Sequence, residues 1–141
     1  MKFKMNERTW EIKELTQEEI KQHIKDYKFD GEPGEGRYYG QTYFDEQTIY
    51  IDKNINEEQK LFTLMHELGH CYIGTYITHQ NKEYTEEDVA NILSNSHFII
   101  HDIIMKYYTE KALNGFNTIP IKAINPKNIK DARGGKDEDN K

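Results

Sequence analysis

The sequence predicts a small α+β domain, and three observations carry that expectation. Short β-rich runs at 8–15 and 37–53 precede two stretches of helical periodicity at about 56–76 and 85–108. Each helical stretch opens on a capping residue. The 141 residues suffice for one buried core without disulfides or a structural metal.

Residues 8–15, RTWEIKEL, alternate as a short strand, and Thr16 followed by Glu19 is a capping box opening a helix to about Tyr27. The run Gly31-Glu32-Pro33-Gly34-Glu35-Gly36 then breaks regular structure. It is acidic and lacks the Lys and Ser/Thr of a phosphate loop. RYYGQTYF (37–44) and QTIYIDK (47–53), separated by Asp45-Glu46, read as a β-hairpin with Ile49 and Ile51 on one face and Tyr50 on the other. Asn56 caps the next helix, with Gln59 placed to reach back to it. Thr85 and Asp88 form a second capping box, and Val89, Ile92, Leu93, Ser96, Ile99, Ile100, Ile103 and Tyr107 follow at helical spacing. One domain is expected over 1–125. The segment from Asn114, with Pro120 and Pro126, reads as loop, and 126–141 as a flexible tail.

Composition narrows the function. A net charge of −6 argues against a nucleic-acid-binding surface, the basic residues near the C-terminus being interspersed with acids. The apolar runs are too short to span a bilayer, and the N-terminus lacks the apolar core of a secretory signal. The single cysteine, Cys71, cannot form an internal disulfide. A cytoplasmic protein that does not engage membranes is expected, with Cys71 a packed helix residue.

The segment TLMHELGHCY (63–72) carries the chemistry. His66 and His70 lie four residues apart on a helix, so both imidazoles project on one face toward a single zinc ion, Zn²⁺. Glu67 between them sits beside the open coordination position as a general base. At about 100° per residue, Leu61, Leu64, Met65, Leu68, Cys71 and Tyr72 cluster in an arc of about 120°, with the two histidines nearly opposite. That placement speaks against core histidines; the competing reading is a pair of solvent-facing histidines with Glu67 as ordinary helix surface. Gly69 in mid-helix costs about 0.5–1 kcal/mol relative to alanine, and close approach by another segment or a substrate would explain it.

A catalytic zinc usually has three protein ligands and a water, so a third must come from elsewhere. On the wheel of the second long helix Glu87 and Asn91 lie opposite the apolar stripe, one turn apart, whereas Glu86 and Asp88 flank it. Acids in a first helical turn also complement the helix dipole without any metal, so both readings of Glu87 stand on geometry alone. Tyr72, Tyr76, His79, His97 and His101 are candidate donors to a developing oxyanion.

HELGH on one helix, followed by Glu87-x-x-Ala90-Asn91 on the next and preceded by the strand QTIYID, resembles the ImmA/IrrE family of zinc metallopeptidases over roughly residues 40–100. The resemblance implies a zincin-like domain with His66, His70 and Glu87 as zinc ligands, Glu67 as the general base and Asn91 orienting a ligand. It implies a protein substrate, such as a helix-turn-helix repressor of a mobile element. The sequence departs from the family after Asn91: ILSNSHFIIHDIIM lacks the Phe-Ala pair and the apolar stretch ending in proline that members commonly carry there. Those positions shape packing and the substrate cleft.

Overall fold

The computed structural model describes residues 1–27, 33–77 and 83–114. The first two residues of the predicted break, Gly31-Glu32, the donor candidate His79, and the segment from 115 with its tail lie outside them. The order is β1 (Lys2–Met5), β2 (Arg8–Leu15), α1 (Gln17–Asp26), β3 (Gly40–Tyr43), β4 (Thr48–Asp52), α2 (Glu57–Tyr76) and α3 (Glu86–Leu113). The expected α+β class is observed. Among the described residues no helix is long and apolar enough to cross a membrane.

The strands form one sheet in the order β1-β2-β4-β3. β1 pairs antiparallel with β2, β2 parallel with β4, and β3 antiparallel with β4, which leaves β3 as an edge. β1 was not expected from the sequence. Its hairpin closes through Asn6 and Glu7 at φ 48° and 66°, the left-handed pair that a two-residue primed turn needs and that Asn-Gly would signal more clearly. The 37–44 strand shortens to Gly40–Tyr43 because its first residues are held elsewhere. Gln17 accepts the Tyr38 amide (2.9 Å) and donates to the Tyr38 carbonyl, while Arg37 pairs with the buried Asp52 at 2.7 Å.

Helix starts follow the capping signals. Thr16 with Glu19 and Thr85 with Asp88 form reciprocal boxes, and Asn56 accepts from the Gln59 amide at 2.8 Å. α1 covers one face of the sheet, where Tyr50 and Tyr43 meet His23. α2 and α3 cover the other, where Phe3, Trp10, Ile12, Ile49 and Ile51 join Leu64, Leu68, Cys71, Ile103 and Tyr107 in one core. The expected division of Ile49 and Ile51 from Tyr50 is thus observed, with both faces covered.

Three apolar positions depart from the predicted stripes. Met65 is 46 % exposed, because the buried arc of α2 is turned toward β3 and takes in Thr63 and Glu67. Val89 and Leu93 are exposed as well, since the buried residues of α3 begin at Ser96. The second half of α3 runs on to Leu113, beyond the expected end near 108, and is tied to the sheet by a polar cluster. Glu14 accepts from Tyr107 (2.6 Å) and Lys111 (2.7 Å) and pairs with the buried Lys60 of α2 at 3.0 Å.

Burial raises the pKa of Glu14, but hydrogen bonds from Lys111, Tyr107 and Lys60 outweigh it and hold the carboxyl at about 2, below its usual 4.5. A carboxylate with a depressed folded-state pKa contributes stability that is complete above the unfolded value and is lost as pH falls through the folded one. Denaturant melts from pH 6 to pH 2 should therefore show the wild type losing about 1–3 kcal/mol more than Glu14→Gln, after allowance for screening at this partly exposed side chain. Equal losses in the two proteins would contradict the cluster's role.

Candidate active site

The site is built where β3 passes α2. Adding a Cβ to Gly40 would bring it to 2.7 Å from Thr63 Cγ2, 2.9 Å from Glu67 Cγ and 3.0 Å from Glu67 Oε1. Only a glycine lets the strand come this near. The close approach buries Glu67 to 4 % exposure. One residue pair along the strand, the Thr42 hydroxyl donates to Glu67 Oε2 at 2.6 Å. Glu67 is thus fixed by a hydrogen bond from the edge strand rather than left as helix surface, contrary to the solvent-facing reading.

His66 and His70 are half-buried, with ring centroids 4.8 Å apart and planes at 79°. Their Nε2 atoms face each other at 3.1 Å. Two nitrogens bonded to one tetrahedral zinc at about 2.0–2.1 Å stand about 3.3–3.4 Å apart. The observed spacing is within a few tenths of an ångström of what a shared zinc ion would need.

Across from them lie Gly40, Gln41 and Thr42, and the cleft between encloses about 410 Å³, with Tyr38 and Phe44 completing its lining. Tyr38 was not anticipated from the sequence. Its backbone is clamped by Gln17, which also donates to buried Asp52 at 2.9 Å, and the Gly34 amide donates to its hydroxyl oxygen at 2.6 Å. That leaves the hydroxyl hydrogen to be donated. The residues lining the cleft do not include Tyr72, Tyr76, His97 or His101. Tyr72 faces a smaller groove of about 190 Å³ toward α3, and His97 and His101 are exposed on α3.

Glu87 is exposed on the first turn of α3. Among the described residues no three His, Cys, Asp or Glu side chains are grouped to hold a metal, so Glu87 is not gathered with the two histidines. Asp88 is committed to the cap, accepting from the Thr85 amide at 3.0 Å and hydroxyl at 2.8 Å. Asn91 lines the smaller groove beside Asp88 and Tyr72. Nothing among the described residues lies within 4 Å of a Cβ added to Gly69, so the close approach expected there occurs at Gly40 instead. Cys71 is fully buried, and burial reinforced by the nearby Glu67 charge pushes its thiol pKa up. It is a packed residue, as expected, and not a nucleophile.

Comparison with known families places this arrangement. The model of the IrrE N-terminal-like domain, Peptidase_M78, matches residues 17–115. The chain belongs to the IrrE N-terminal-like peptidase family. The match agrees with the resemblance drawn from HELGH and Glu87-x-x-Ala90-Asn91, and it takes in α1, the edge strand and both long helices. No curated protein and no solved structure matches the chain. For this Peptidase_M78 domain a peptidase activity therefore stands at the level of the family. The edge strand contributes Gly40 and Thr42, which the motif alone does not reveal. Gly40-Gln41-Thr42 lies well upstream of His66–His70 in sequence and carries no signal until the sheet is assembled.

Gly40→Ala tests the close approach. The added methyl must displace the Thr63 and Glu67 side chains, which should cost about 1–3 kcal/mol and lower the melting temperature by several degrees. A melting temperature equal to wild type would show that β3 does not approach α2 this closely.

Proposed function

We propose that the protein is a cytoplasmic zinc-dependent endopeptidase that hydrolyses a peptide bond in a regulatory protein, such as a helix-turn-helix repressor of a mobile element. The observation that carries the reading is the pairing of His66 and His70 Nε2 at 3.1 Å beside a buried Glu67 held by Thr42. The repressor substrate rests on the family resemblance alone.

His66 and His70 would hold zinc, with Glu87 as the third ligand and Asn91 orienting a ligand. Glu87 rests on the resemblance of Glu87-x-x-Ala90-Asn91 to the family's pattern, with its neighbour Asp88 committed to the helix cap. When bound, zinc supplies Lewis acidity that polarises the scissile carbonyl and acidifies the attacking water.

Glu67 takes the proton of the attacking water at its carboxylate and delivers it to the departing amine nitrogen. Thr42 fixes the orientation of that carboxylate, and burial keeps bulk water from it. Tyr38 donates its hydroxyl hydrogen to the oxygen of the tetrahedral intermediate. The free edge of β3 receives the substrate as an added strand, so that its backbone is held by main-chain hydrogen bonds along the cleft.

The test combines metal analysis with cleavage of a candidate repressor. Wild type should bind about one zinc per chain and cut, and Glu67→Gln should keep the zinc and bind the repressor uncut. Glu87→Gln should lose or weaken zinc, and Tyr38→Phe should keep it while kcat falls about 10²–10³-fold. A wild type that holds no zinc after zinc is added back would sink the site. Binding without cutting by wild type and Glu67→Gln alike would favour a zinc-binding regulator that acts by docking.

A further inference from the structure

Gly40, Thr42 and Phe44 alternate along β3 and the turn after it, and all three face α2. Gly40 meets Thr63 and Glu67, Thr42 bonds Glu67, and Phe44 lies against Gly74. The first two position the general base. The third has no part in that chemistry, yet it is held tightly.

A Cβ on Gly74 would fall 2.1 Å from Phe44 Cε1 and 2.4 Å from Cζ, so the ring rests on bare helix backbone. On another side it meets Trp10 edge-on, with centroids 5.5 Å apart and planes at 86°, and Trp10 is itself buried. Phe44 as a residue is nevertheless 43 % exposed, and it lines the same cleft as His66, Glu67 and His70. A large apolar side chain in a largely polar cleft, immobilised by two neighbours and left open on one face, is a preorganised apolar surface.

Side chains two residues apart on a strand share a face and stand about 6.8 Å apart. A substrate strand on the free edge of β3, with its scissile bond opposite Thr42 and Glu67, therefore carries a nearby side chain over Phe44. We propose that Phe44 is a specificity-determining residue that takes an apolar side chain, aromatic above aliphatic, next to the scissile bond, with Gly74 positioning the ring. Edge-to-face and offset contacts between rings favour the aromatic partner. The assignment rests on the metallopeptidase reading above.

Peptidyl hydroxamates differing only in one side chain, glycyl, leucyl or phenylalanyl, test it by calorimetry on the zinc-loaded full chain. Wild type should bind the phenylalanyl compound about tenfold or more tightly than the glycyl one, within the range one apolar pocket contact provides. Phe44→Ala should reduce that ratio to about threefold or less. Gly74→Ala, which leaves Phe44 in the sequence but displaces its ring, should do the same. Phe44→Leu keeps an apolar contact with Trp10, guards against misfolding, and should remove the preference for phenylalanyl over leucyl. Equal binding of the glycyl and phenylalanyl compounds by wild type, or an unchanged ratio in these variants, would overturn the assignment. Failure of every compound, the glycyl one included, to bind would instead remove the metallopeptidase reading beneath it.

Discussion

Where β3 passes α2, the backbone of Gly40 lies so near Thr63 and Glu67 that even a methyl group would not fit. From that contact come the burial of Glu67, the reach of the Thr42 hydroxyl to its carboxylate, and the narrowness of the cleft that His66 and His70 face. A carboxylate on an open helix surface would be solvated and free to rotate; here it is fixed beside two imidazoles whose spacing suits one metal ion. Burying an ionised group is costly unless it is hydrogen-bonded, and Thr42 supplies such a bond.

The strand can sit so close because side-chain contacts pin its two ends. Before it, Asp52 is wholly buried and is engaged by Arg37, Gln17 and the Asn54 amide, while Gln17 also grips the Tyr38 backbone. After it, Phe44 is lodged between Trp10 and Gly74. Glu14 joins β2 to Lys60 of α2 and to Tyr107 and Lys111 of α3. Each pin links elements distant in sequence, so the cleft is a product of the assembled sheet rather than of the motif helix alone.

Much of this was legible in the sequence where the determinants are local. Thr16 with Glu19 and Thr85 with Asp88 announce helix starts that the structure forms, and the spacing of His66, Glu67 and His70 places them on one helix face. What was not legible depends on partners far along the chain. Asn6 tolerates a left-handed backbone but Glu7 does not signal one, and the parallel pairing of β2 with β4 requires a crossover through α1 and β3. Periodicity marks Met65, Val89 and Leu93 as apolar but cannot say which arc of a helix the sheet will cover, and all three stay exposed. Gly40 and Tyr38 acquire meaning only when β3 is laid against α2, whereas Gly69, more conspicuous in the motif, has no close neighbour among the described residues.

On the proposed function, His66 and His70 jointly hold one zinc ion beside Glu67. Zinc K-edge X-ray absorption of the zinc-loaded chain measures the ligand set directly. Two imidazole nitrogens are expected at about 2.0–2.1 Å with the remaining ligands oxygen, and imidazole scattering should be lost in His66→Ala with His70→Ala. A sulfur scatterer at about 2.3 Å, or an imidazole signal that survives both substitutions, would contradict it.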